Sequence, residues 1–148
     1  MSQDTALRTF CHAFEKLDKN CTESLKNLYT DDIAFTDPLH HIEGREVLMR
    51  YYADMLANVQ ACRFEVTHRQ REGDDALVAW TLHLTHPRLA RGRPLRIAGC
   101  SQLTFRGERI CRQRDYFDAG AMLYEHLPVF GALIRWLKRR VDPASHSR

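Results

Sequence analysis

No stretch of the chain approaches the ~18 consecutive apolar residues that a membrane-spanning helix requires. The opening segment "MSQDTALRTF" also lacks the charged-then-apolar build of a secretory signal. Paired cysteine motifs are lacking: Cys11, Cys21, Cys62, Cys100 and Cys111 are odd in number, scattered, and form no CxxC pair. That pattern argues against a disulfide framework or a zinc ribbon, and fits a reducing, cytoplasmic setting with the thiols as plain core residues. A large excess of one charge sign is lacking too, since 22 Lys and Arg stand against 19 Asp and Glu. A net +3 over 148 residues is too small to argue for nucleic acid, and the basic excess is local, at Arg135, Lys138, Arg139 and Arg140. There is no internal repeat, and the only low-complexity segment is the tail "DPASHSR".

What is present is a globular composition, 44% hydrophobic, sufficient for one domain with a core and little room for two. We expect a single domain over 1–141 and a flexible tail over 142–148. Leu7, Phe10, Cys11, Phe14 and Leu17 recur at helical spacing and predict an amphipathic first helix. Asn20 with Glu23 three residues on reads as a capping box for a short second helix carrying Leu25, Leu28 and Tyr29. "DIAFTDP" reads as a short strand stopped by Pro38, and Glu43 to about Ala57 as a third helix with Val47, Leu48, Tyr51, Met55 and Leu56 on one side. Four strands follow, at about 62–71, 75–86, 94–106 and 109–118. "EGDD" and "RGE" supply hairpin turns and "PRLARGRP" a longer basic tip. A last helical region is expected from about Ala119 to Val141, broken at Pro128 and Gly131. Helices first and a meander of strands afterwards define an α+β fold.

Strand alternation assigns faces. In 75–86 the apolar set is Val78, Trp80, Leu82 and Leu84, and it carries His86 with it to the pocket mouth. In 94–106 the set Ile97, Gly99, Ser101, Leu103 and Phe105 should face the helices, with Arg96 and Gln102 outside. In 109–118, Arg112, Arg114 and Tyr116 belong outside, so Gln113, Asp115 and Phe117 point in. An inward carboxylate is costly unless paired or used.

Two stretches carry a resemblance. "LYTDDIAFTDPLHHIEGREVLMRYY" and "GERICRQRDYFDAGAM" are similar to segments of the nuclear-transport-factor-2-like superfamily, home of steroid delta-isomerases, SnoaL-like polyketide cyclases and limonene epoxide hydrolase. The resemblance spans about residues 4–127. It implies a cone-shaped (cystatin-like) fold, a curved antiparallel sheet wrapped around the N-terminal helices, here with an extra C-terminal helix. It places Asp37 where the isomerases keep a general base and Asp115 where the epoxide hydrolase keeps its catalytic carboxylate. Tyr29 and Tyr52 fall near pocket aromatics. Neither family constellation is complete. Ala13 and Ser101 stand where the isomerases need oxyanion donors, and "WTLHLTH" lacks the acid and arginine of the hydrolase.

The expected site is therefore Asp37 and Asp115 as acid or base, facing a wall of Trp80, Leu82, Leu84, Ile97, Leu103 and Phe117 that raises both pKa values. Each acid also has a plainer reading: Asp37 as a turn carboxylate, Asp115 as an acid satisfied by Tyr29, Tyr52 or water. His40 and His41 read as solvated loop residues. His83 and His86, three apart on a strand, cannot chelate together, so no metal and no cofactor are expected. The partner should be a small apolar molecule, processed by an isomerase, cyclase or hydrolase, or held by a non-catalytic binding or interaction module of the same shape. A homodimer through the outer sheet face (Ala79, Thr81, Cys100, Gln102, Tyr116) is expected. Residues 129–140 form a basic amphipathic stretch suited to covering the cone or touching a membrane surface.

Overall fold

The computed structural model describes residues 3–17, 22–57, 59–120 and 136–140. Helices α1 (Gln3–Glu15), α2 (Thr22–Lys26) and α3 (Arg45–Ala57) lie on one side of a single sheet. Its strands are β1 (Tyr29–Thr36), β2 (His41–Glu43), β3 (Ala61–Glu72), β4 (Asp75–Thr85), β5 (Leu95–Arg106) and β6 (Arg109–Phe117). The spatial order is β2-β1-β6-β5-β4-β3. Neighbours run antiparallel except β1 beside β6, which is parallel. Parallel neighbours need a long crossover, and here α3 and the four strands β2 to β5 supply it.

The alternation read from the sequence is the alternation observed. Ala76, Val78, Trp80, Leu82 and Leu84 are buried along β4, and Leu95, Ile97, Ser101, Leu103 and Phe105 along β5, while Arg96 and Gln102 are exposed. Register shifts between Tyr29 and Ala34, between Val66 and His68, and between Thr104 and Phe105 let the sheet bend around the helices. Gly99 permits the tightest packing, since a Cβ there would come within 2.4 Å of the Trp80 ring. Phe14 of α1 stacks edge-on to Tyr52 of α3 at 5.9 Å and to Phe64 of β3 at 5.5 Å. Phe64 continues to Trp80 at 5.2 Å. The core thus runs unbroken from the helices to the concave face.

The local expectations need four corrections. Tyr29 opens β1 instead of riding on α2, because that helix ends at Lys26 and a turn from Leu28 N to Leu25 O (3.0 Å) redirects the chain. The Asn20 cap lies outside the described residues. Glu43 belongs to β2, not α3; Gly44, at φ 95°, makes the break between them, a conformation that suits only glycine. His41, read as loop, pairs with Thr36 in the β1–β2 ladder. The buried stripe of α3 is Leu48, Tyr52 and Leu56, four apart, and Val47 is exposed. Of the C-terminal helix, residues 136–140 are helical, and most of the remaining stretch lies outside the described residues. Among the described residues no helix is long and apolar enough to cross a membrane.

Candidate functional site

The β1–β2 turn builds the first half of the site. Pro38 ends β1, and Asp37 folds its carboxylate back over the turn. Its Oδ1 accepts the backbone N–H of Leu39 at 2.8 Å and of His40 at 2.7 Å, while Asp37 N donates to His40 O at 3.0 Å. From α3, the Tyr51 hydroxyl donates to Oδ2 at 2.9 Å. The imidazole Nδ1 of His40 lies 3.1 Å from Oδ1, and its ring packs on Tyr51 with centroids 4.9 Å apart. The Asp37 side chain is only 3% exposed, against 46% for His40. Burial first, then the nearby negative charge of Asp37, pushes the Tyr51 phenol well above its ordinary range, so it stays a donor.

This turn opens on a cavity of about 430 Å³, the size of a small-ligand site. Asp37, Leu39 and His40 form one wall, and Tyr51, Asp54 and Met55 of α3 another. Leu82, Leu84, His86, Leu89 and Phe117 close the apolar side, joined by Val59 and Cys62. Burial pushes the Cys62 thiol up to about 11, so it is a neutral wall group and no nucleophile at ordinary pH. A broader cleft of about 660 Å³ between α1 and β3 is open and charged (Arg8, His12, Glu15, Arg69) and gathers none of the expected residues.

Asp115 sits in a separate polar network in the sheet. Two donor chains converge on its Oδ1. In one, Trp80 Nε1–H donates to Ser101 Oγ at 2.9 Å, and Ser101 donates to Asp115 at 2.7 Å. In the other, Tyr29 O–H donates to Gln113 Oε1 at 2.7 Å, and Gln113 Nε2 donates to Asp115 at 2.9 Å. Tyr52 joins through a 3.4 Å contact with Tyr29. Burial pushes the Asp115 carboxyl up to about 6; the Ser101 and Gln113 bonds pull the other way, and the charge of Asp37 adds to the rise.

The expected site residues therefore divide. Asp37, Leu82, Leu84, His86 and Phe117 line the cavity. Tyr29, Tyr52, Trp80, Ser101 and Gln113 belong with Asp115 to the network, and Ile97 and Leu103 to the packed core. None of these eight is a lining residue. Two cavity groups depart from their expected places: His40, expected as a solvated loop residue, meets Asp37 three residues before it across a proline turn, and Tyr51, expected on the apolar side of α3, lines the cavity one turn from Met55. Ala13 packs against the core and offers no donor. Among the described residues no three His, Cys, Asp or Glu side chains gather as a metal set.

A bent sheet closed over helices, with a cavity at one end and a carboxylate in its wall, defines a cone of the nuclear-transport-factor-2-like kind. Residues 7–113 match the SnoaL-like domain, and the chain belongs to that family. A protein of ketosteroid isomerase-like fold from Catenulispora acidiphila DSM 44928, in complex with trimethylamine, superposes with a TM-score of 0.70 at 19% identity, over 82% of this chain and 92% of that one. A candidate SnoaL-like polyketide cyclase from Shewanella denitrificans OS-217 gives 0.68 at 18%, over 80% and 94%. An epoxide hydrolase of M. tuberculosis, similar to limonene epoxide hydrolase, gives 0.65 at 20%, over 93% and 92%. At these identities the likeness is one of fold. No functionally curated protein matches the sequence.

Proposed function

We propose that this protein binds a small apolar molecule in the cavity and moves a proton on it, in a reaction of the isomerase, cyclase or hydrolase type. The observation that carries this reading is the His40–Asp37 pair, 3.1 Å apart, in the wall of an apolar cavity. A carboxylate held by two backbone N–H groups and a phenol orients the imidazole and stabilises it once it has taken a proton. Asp37 then acts through His40, which is the base that meets substrate. Asp115 takes a supporting part: burial raises its carboxyl to about 6, so below that pH it spares the site a second negative charge close to Asp37. The neighbouring folds, an isomerase-like protein, a candidate cyclase and an epoxide hydrolase, agree with proton chemistry in this kind of cone.

A second reading has its own support. Among the described residues, every bond to Asp37 comes from its own turn or from Tyr51, as expected of a carboxylate that only shapes the wall of a binding module. One experiment separates the two. Apolar ketones and epoxides are incubated with the protein in deuterated water, and deuterium uptake and ring opening are followed by NMR. Turnover should occur, and His40→Ala should lower it by at least ~100-fold, the low end for a lost general base. Turnover unchanged in His40→Ala overturns the proton-transfer reading. Tight binding without any turnover leaves the binding module.

A further inference from the structure

The two histidines of the cavity wall are wired in opposite senses. The Nδ1 of His40 faces the Asp37 carboxylate at 3.1 Å. A carboxylate already taking two backbone N–H bonds and a phenol is an acceptor, so Nδ1 carries the proton, and in the neutral ring Nε2 is a bare acceptor. The Nδ1 of His86 instead accepts the backbone N–H of Arg88 at 3.0 Å. That nitrogen is therefore bare, and the neutral ring carries its proton on Nε2, a donor. Each tautomer is held by its own loop. The Asp37 turn holds the first; the second is held by the loop after β4, closed by Leu89 N to His86 O (3.1 Å), Gly92 N to Leu89 O (2.9 Å) and Arg93 N to Ala90 O (3.1 Å). Neither Nε2 has a hydrogen-bond partner among the described residues. Leu82, Leu84, Leu89 and Phe117 share the wall with them.

The geometry points to a ligand with an apolar body that carries a hydroxyl for the acceptor His40 and a carbonyl oxygen for the donor His86: a hydroxy-carbonyl compound. A molecule with only one of these groups leaves one ring nitrogen unmatched, and a hydrocarbon leaves both. Asp54, one turn along α3 from Tyr51, adds a further acceptor to the wall. This assignment rests on the same cavity as the proton-transfer reading, but it concerns binding alone.

The test measures affinity by calorimetry for tetralin, tetralone and a hydroxytetralone with hydroxyl and carbonyl on opposite rings. Affinity should rise in that order. His86→Phe should weaken tetralone and hydroxytetralone about five- to tenfold, the worth of one hydrogen bond, and leave tetralin unchanged. His86→Gln, which returns an N–H donor near the lost Nε2, should restore the preference. Tetralin binding by His86→Phe serves as the check that the variant is folded. Equal weakening of all three compounds, tetralin binding as tightly as hydroxytetralone, or no binding of any of them would overturn the assignment. Selective binding without deuterium uptake would defeat the proton-transfer reading and leave this one standing. Uptake without selectivity would do the reverse.

Discussion

Asp115 takes both of its side-chain hydrogen bonds on Oδ1, from Ser101 and Gln113, and none from the described residues on Oδ2. An asparagine could keep its oxygen in the Oδ1 place and put its amide where Oδ2 lies, so the network survives while the charge disappears. The sign of the pH effect follows from the raised pKa. The unfolded chain ionises this group near 3.8 and the folded protein near 6, so the folded state binds the extra proton in between. Asp115 thus costs nothing below the first value, costs progressively more as pH rises between the two, and costs its full amount above the second. Asp115→Asn should match the wild type near about pH 4 and exceed it near about pH 7, by up to about 3 kcal/mol, as read from denaturant melts at both values. A variant less stable than the wild type by roughly 1–3 kcal/mol at neutral pH would make Asp115 a structural acid that the fold needs ionised.

Between β4 and β5 the sheet is drawn close by one large and one absent side chain. The Trp80 ring lies where a Gly99 side chain would be, and its Nε1–H reaches Ser101 on β5 at 2.9 Å. The contact is with ring carbons that also pack on Phe64, so the ring has no flexible end to swing aside. Gly99→Ala should displace Trp80, break its bond to Ser101 and cost roughly 1–3 kcal/mol, the usual range for overpacking. Thermal melts and the near-ultraviolet circular dichroism of the indole report both effects. An unchanged melting temperature would mean that β4 and β5 have slack to separate at this point.

The whole molecule leaves a mixed outer sheet face. Ala79, Thr81 and Cys100 are half-buried there, while Leu77 and Tyr116 are more than two-fifths exposed and Arg114 lies over the Tyr116 ring at 5.3 Å. Small and apolar groups between arginines suit a self-complementary twofold contact better than a fully solvated face. We propose a homodimer through this face. Light scattering at micromolar concentration should give twice the chain mass, and Ala79→Arg should halve it. A monomeric wild type at that concentration counts against the contact.

Alternation by itself determined the β4, β5 and β6 faces, because a slip of one residue would bury Arg96, Arg112 and Arg114 and expose Trp80 and Leu103. The same logic turned Asp115 inward, and Pro38 marked the end of β1 with Asp37 at the turn. Period alone misassigned α3, where Val47 follows the helical pattern but faces outward; only the angle at which the helix meets the sheet chooses among neighbouring stripes. Tertiary structure also decided which inward residues meet empty space. Leu82 and Leu84 line the cavity while Ile97 and Leu103 are packed, and all four have the same sequence signature. The difference lies in which wall elements, the second half of α3 and the loop after β4, stand opposite each residue. The wiring of His40 and His86 was least legible of all. Which ring nitrogen holds the proton depends on a carboxylate and a backbone N–H placed by two separate loops, and no periodicity encodes that.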